Sequence, residues 1–132
     1  MRIVPTKLIS EVQSEFNGAF PFLKLEFFQY NAKDGSNSVR SSGKRIGDYQ
    51  SVVTDGQLDV YPEMKVSDLE KTLKDKFRLN VQVFRRSGTL WLQTTMTDNW
   101  TLKKQNEHGM ELSHAPEIPL INRDDPEADA YN

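Results

Sequence analysis

Aromatic and basic residues recur on one side of three alternating stretches of this chain. Lys24, Phe28 and Tyr30 share one parity in the first stretch. Gln82, Phe84 and Arg86 share it in the second, and Trp91 and Gln93 in the third. Alternate residues of a strand point to the same face. If the stretches pair, four aromatics and two cations come together on one sheet. Such a surface can stack unstacked bases, as some RNA-binding sheets do. It can equally bury its aromatics against protein, the commoner use of an exposed apolar patch. The Gly-aromatic signature of RNA-recognition domains is missing from Gln57–Tyr61, where a central strand would carry it. The leading reading is therefore a non-catalytic binding or assembly module that self-associates through this face, as a homo-oligomer or with a protein partner. Its contact residues would be Phe28, Tyr30, Phe84, Arg86 and Trp91. The alternative is single-stranded nucleic acid, RNA above all, on the same face. Arg40, Lys44, Arg45 and Arg85 would supply a basic rim.

Other chemistries find less in the residues. Gly43-Lys44-Arg45 has the Gly-Lys of a phosphate-binding loop, but Ser38 stands where the first glycine belongs and Arg45 replaces the hydroxyl residue. His108, His114, Glu107 and Glu111 are metal-ligand types, yet Gly109 falls among them and is expected to end their helix. No serine has a histidine and a carboxylate placed to activate it. Asp59 and Glu63 lack an apolar surrounding that would raise a carboxyl pKa. With no cysteine, disulfides, thiolate metal sites and cysteine nucleophiles are all excluded. The expectation is a protein that is not an enzyme and uses neither cofactor nor metal.

The elements that must position the aromatic face repeat. Ile3–Phe28 aligns with Val60–Phe84 through one single-residue gap. Pro5 falls on Pro62, Ser10 on Ser67, Phe20 on Phe77, Leu23 on Leu79 and Phe28 on Phe84. In each copy a short strand ends in proline, which cannot donate a ladder hydrogen bond. A helix follows, expected to start at a capping box: Ser10-Glu11-Val12-Gln13, then Ser67-Asp68-Leu69-Glu70. Val12, Phe16 and Phe20 form one apolar stripe and Leu69, Leu73 and Phe77 the other. Each helix leads to an alternating strand, with Leu23, Leu25 and Phe27 inward in the first and Leu79, Val81 and Val83 in the second. Ser87-Gly88 turns the second into a further strand over 89–95, and a short helix is expected at 100–107. Two β-α-β units predict an α+β fold, a ferredoxin-like β-α-β-β-α-β sandwich with an extra C-terminal strand and short helix.

The chain of 132 residues divides into a single domain at 1–113 and an acidic, proline-containing tail at 114–132, expected to be disordered. The tail holds five acids and one base, a charge of −4, which leaves +2 on the body within a total of −2. Neither value demands a nucleic-acid partner. Residues 31–56, rich in Gly, Ser, Asn and Asp, read as a long mobile loop in which Ile46–Val53 can add a strand. No apolar run approaches the ~20 residues of a membrane helix. The first residues lack the apolar stretch of a secretion signal, so the expected location is the cytoplasm, without a membrane partner.

The segment Val81-Gln82-Val83-Phe84-Arg85-Arg86-Ser87-Gly88-Thr89-Leu90-Trp91-Leu92, with Thr97-Asp98-Asn99-Trp100-Thr101-Leu102 and Gln105-Asn106-Glu107-His108-Gly109, resembles a family of small uncharacterised bacterial proteins, mostly from Bacteroidetes-type genomes. The likeness implies a stand-alone bacterial protein. It brings no catalytic motif and no site residues.

Overall fold

The computed structural model describes residues 1–31, 33–39, 43–50 and 53–114. Its elements in chain order are β1 (Arg2–Ile3), α1 (Ile9–Ala19), β2 (Leu23–Asn31), β3 (Ser36–Val39), β4 (Gly56–Gln57), α2 (Val66–Phe77), β5 (Asn80–Ser87), β6 (Leu90–Gln93) and α3 (Leu102–His114). Short 3-10 turns lie at Ile46–Asp48 and Thr95–Thr97. The fold is α+β, built on two antiparallel sheets.

The expected stripes are the core. Val12, Phe16 and Phe20 of the first stripe and Leu69, Leu73 and Phe77 of the second are buried, with Leu23, Leu25, Phe27, Leu79, Val81 and Val83 against them. The hydrophobic effect accounts for this arrangement: each stripe buries its apolar face in the shared core.

The strand order corrects the ferredoxin-like expectation. The main sheet runs β3-β2-β5-β6, while among the described residues β1 and β4 pair only with each other. Each of these two strands spans two residues. Pro5 and Pro62 lie shortly beyond them, and proline cannot extend a ladder. The longer strands that follow the helices pair with one another instead, and each hairpin adds its second strand on the outside.

The register has a two-fold symmetry that matches the repeat in the sequence. On the central seam Glu26 faces Gln82; Phe28 faces Asn80, and Lys24 faces Phe84. Since Phe28 aligns with Phe84 and Lys24 with Asn80, these pairs exchange under a two-fold axis through Glu26 and Gln82. The hairpins agree, with Phe28 opposite Val39 and Phe84 opposite Gln93. The repeat also extends past the strands. Ile9 N–H donates to Lys44 O at 2.9 Å and Ile46 N–H to Lys7 O at 2.8 Å; in the other half Val66 N–H donates to Trp100 O at 3.0 Å and Leu102 N–H to Met64 O at 2.8 Å. Each half is thus strand, helix, hairpin and a closing helical turn that pairs with the start of its own helix.

That pairing replaces the expected serine caps. The helices begin at Ile9 and Val66, one residue before Ser10 and Ser67. Their first amides are satisfied by the carbonyls just named, and Ser67 N–H donates to Asp98 O at 2.8 Å. Glu11 still reaches back, accepting from Leu8 N–H at 2.8 Å. The closing turns differ in length. The first is the 3-10 turn at Ile46–Asp48, with Ile46 buried, where a strand was expected. The second is the thirteen-residue α3. Gly109 does not end that helix. It lies buried inside it, where a Cβ would sit 2.9 Å from Phe22 Cβ and 3.2 Å from Arg86 O. The glycine is there because α3 packs that closely on β5.

The segment expected as a long loop holds β3, joined to β2 through Gly35 at φ +71°. Of the tail expected at 114–132, His114 ends α3 and the rest lies outside the described residues.

Candidate interaction surface

Phe84, Arg86 and Trp91 come together on the outer face of the sheet, away from the core. Arg86 is the cross-strand partner of Trp91, and Phe84 pairs with Lys24 on one side and Gln93 on the other. The aromatics are half-buried. Their cover comes from within the chain: Lys24 Nζ lies 4.9 Å from the Trp91 ring centre and 5.9 Å from that of Phe84. Arg86 stands 6.0 Å from Trp91. Each is an attraction of a cation to a π face. Lys24 is also ion-paired with Glu26 at 3.0 Å.

Phe28 is not part of this cluster. It faces Asn80, four residues along β5 from Phe84, which is about 13 Å of strand. It lines a different cavity, of 310 Å³, with Asp48 and Arg78. Tyr30 belongs to β2 opposite Asn37, and its side chain lies outside the described residues.

Of the four basic residues expected to form a rim, the three that are described do not come together. Arg40 lies outside the described residues. Lys44 uses its carbonyl to receive Ile9 N–H. Arg45 holds the start of α1, pairing with Leu8 and donating Nη1 to Thr6 O. Arg85 has the opposite parity to Arg86 and lies under α3, donating Nη1 to Gln105 Oε1 at 2.9 Å. Its Nε is buried without a partner among the described residues, and burial pulls its pKa below the ordinary value. The sequence signal for this separation is the strict alternation itself: neighbouring residues of a strand cannot serve one face.

The free edges of the inner strands are capped by side chains. Where β3 does not reach, Gln13 Nε2 donates to Leu25 O at 2.8 Å and Asn17 Nδ2 to Leu23 O at 2.9 Å. Where β6 does not reach, Glu70 accepts from Val83 N–H at 2.8 Å and Thr94 Oγ1 donates to Val83 O at 2.9 Å. Gln13 and Glu70 are equivalent residues of the two halves. Burial raises the Glu70 pKa, with the nearby Asp98 charge adding and the Val83 amide opposing.

The outer edge of β6 has no such cap among the described residues. Gly88, at φ +64°, and Thr89 form a two-residue loop, so Ser87 and Leu90 close it as a hydrogen-bonded pair. Alternation then turns the main-chain groups of Leu90 and Leu92 toward β5 and those of Trp91 and Gln93 outward. The strand reads Leu-Trp-Leu-Gln, with neither the charge nor the proline that usually blunts an edge. Leu90 is 63% exposed and Leu92 42%. Both point to the side of the sheet that carries α3.

A trough of about 550 Å³ runs over the outer face between α1 and Trp91. Ser10, Gln13, Ser14 and Asn17 form its wall, and Lys24 and Glu26 its floor. Sequence reasoning passed over the wall because its four residues are polar at helical spacing, the ordinary look of a solvated face.

Among the described residues no three metal-ligating side chains converge, and no helix is long and apolar enough to cross a membrane. His108 instead lies edge-on to Trp100 at 5.5 Å, with Glu111 3.5 Å from its Nδ1. No family model matches the chain, and neither the curated proteins nor the solved structures include a significant match.

Proposed function

We propose that the protein is a non-catalytic binding module that assembles with a second copy of itself through the edge of β6. The observation that carries this reading is the Leu90–Gln93 edge, uncharged and uncapped among the described residues, in a molecule that caps the free edges of both inner strands. A two-fold axis at Trp91 would continue the antiparallel ladder. Trp91 would face Trp91 of the second copy, and Leu90 would lie beside its Leu92. That pattern is self-complementary, as a two-fold contact must be. It buries the exposed leucines and satisfies the outward main-chain groups of Trp91. Arg86 would remain on the Trp91 ring of its own copy.

Single-stranded nucleic acid finds less support. The cation that lies over both aromatics, Lys24, has its charge matched by Glu26, which would repel a phosphate chain. Arg45 and Arg85 are held in contacts of their own.

Sedimentation of the whole chain tests the assembly. The wild type should sediment as a dimer at ~100 μM, a concentration that detects weak association. Leu92→Lys, a change at an exposed position, should sediment as a folded monomer. A wild type that is monomeric throughout would refute the proposal. RNA binding that survives at 200 mM salt, with no dimer, would favour the alternative.

A further inference from the structure

We infer that the trough between α1 and Trp91 is a binding site for a neutral carbohydrate. Its 550 Å³ lies within the range of small-ligand sites. The chemistry of its walls selects the class of ligand.

The wall of α1 is uncharged along its whole length. Ser10, Gln13, Ser14 and Asn17 sit at i, i+3, i+4 and i+7, which places them in one row on the helix. The floor carries one cation and one anion, Lys24 and Glu26, 3.0 Å apart, so it is neutral as a unit. An anionic ligand would meet Glu26 and a cationic one Lys24. A wholly apolar ligand would strip water from six polar side chains without replacing their hydrogen bonds. An added peptide strand has no edge to pair with here, because Gln13 and Asn17 already occupy the Leu25 and Leu23 carbonyls.

Those two bonds leave acceptors to spare. Gln13 and Asn17 each use their amide nitrogen on the strand, and their amide oxygens have no partner among the described residues. Fixed amide oxygens and serine hydroxyls are suited to the hydroxyl donors of a sugar. Trp91 supplies the other half of a sugar site. The C–H face of a pyranose carries slight positive charge and stacks on the negative face of an indole. Lys24 lies against that ring now; a sugar would displace its half-buried ammonium from both Trp91 and Phe84, at the cost of two cation–π contacts.

The repeat provides an internal control. At the positions equivalent to Ser10, Gln13, Ser14 and Asn17, α2 has Ser67, Glu70, Lys71 and Lys74. The same fold therefore tolerates charge along this row, so the neutrality of α1 is not imposed by the architecture. Trp91 likewise has Asn37 as its counterpart.

The test is fluorescence titration of a Trp100→Phe protein, in which Trp91 is the remaining tryptophan. The probes are the neutral trisaccharides maltotriose, cellotriose, mannotriose and chitotriose, with trigalacturonate and an oligouridylate as charged comparisons. At least one neutral trisaccharide should shift Trp91 emission saturably below about 10 mM, an affinity expected of a shallow site. Ser14→Trp fills the trough from an exposed helix position and, followed by calorimetry because it adds a tryptophan, should weaken that binding at least tenfold. Trp91→Leu, followed by calorimetry, should do the same. Ser14→Trp lies away from β6 and should leave the sedimenting mass unchanged, so loss of sugar binding and loss of assembly are separable. The inference is overturned if no neutral trisaccharide binds, if a charged probe binds more tightly, or if Ser14→Trp leaves the affinity intact.

Discussion

Replacing Gly109 by alanine sets two effects against each other. In a helix interior alanine is better than glycine by about 1 kcal/mol. At Gly109 the added methyl group would lie 2.9 Å from Phe22 Cβ, 3.1 Å from Arg85 Cγ and 3.2 Å from Arg86 O. Arg86 O is main chain within β5. Phe22 Cβ is one bond from a main chain whose N–H is held by Asn106 Oδ1 at 2.8 Å. Neither can retreat, so α3 must move outward. That movement also stretches the Arg85–Gln105 bond of 2.9 Å and the Gly88–Ser113 bond of 3.2 Å. Overpacking costs about 1–3 kcal/mol, and each weakened hydrogen bond can add up to about 1 kcal/mol. The expected net loss is about 1–2 kcal/mol. The assays are urea unfolding for the free energy and thermal unfolding, in which the melting temperature should fall by roughly 5–10 °C. Gly18→Ala is the control, since a Cβ there meets nothing within 4 Å and should stabilise α1. A Gly109→Ala protein as stable as the wild type would refute the close packing of α3 on β5.

Other substitutions probe separate features. Arg78 ends α2 at φ +59°, donating its N–H to Lys74 O at 3.1 Å, in a conformation that favours glycine. Arg78→Gly should raise stability by roughly 0.5–1 kcal/mol in urea unfolding, after the extra freedom of the unfolded chain is subtracted. Leu73 is fully buried in the α2 stripe, so Leu73→Ala should cost about 2–5 kcal/mol in the same measurement. Glu70 has a folded-state pKa raised above its ordinary value of 4.5 by burial. The favourable contribution of its protonated form is therefore complete below 4.5 and is lost as pH rises through the folded value. Glu70→Gln keeps an acceptor for Val83 N–H and removes the titration. Urea midpoints from pH 4 to 7 should fall less steeply in the variant than in the wild type; parallel profiles would show that Glu70 is not desolvated.

Hydrophobic spacing by itself determines much of the molecule. The stripes Val12-Phe16-Phe20 and Leu69-Leu73-Phe77, the inward faces of both long strands, and the Gly88 hairpin are all local patterns. Each follows from periods of 3.6 and 2 and from one turn residue. The separation of Phe84 and Trp91 from Val81 and Val83 is legible for the same reason. The internal repeat likewise marks out two equivalent units.

Which strand pairs with which was decided by tertiary structure. Strand patterns specify an inward face but not a neighbour, so the sequence could not say that β2 meets β5 across a two-fold axis while β1 meets β4. Helix starts depended on amides being met by Lys44 and Trp100 carbonyls about 35 residues away in the chain, contacts that no cap motif encodes. Gly109 read as a helix end because its local propensity is poor. Its role as a packing contact exists only once α3 lies on β5. The same holds for the aromatic face. Composition placed Phe84 and Trp91 together, but Lys24 covering them, the trough beside α1 and the open edge of β6 arise from long-range placement, which alternation and periodicity do not carry.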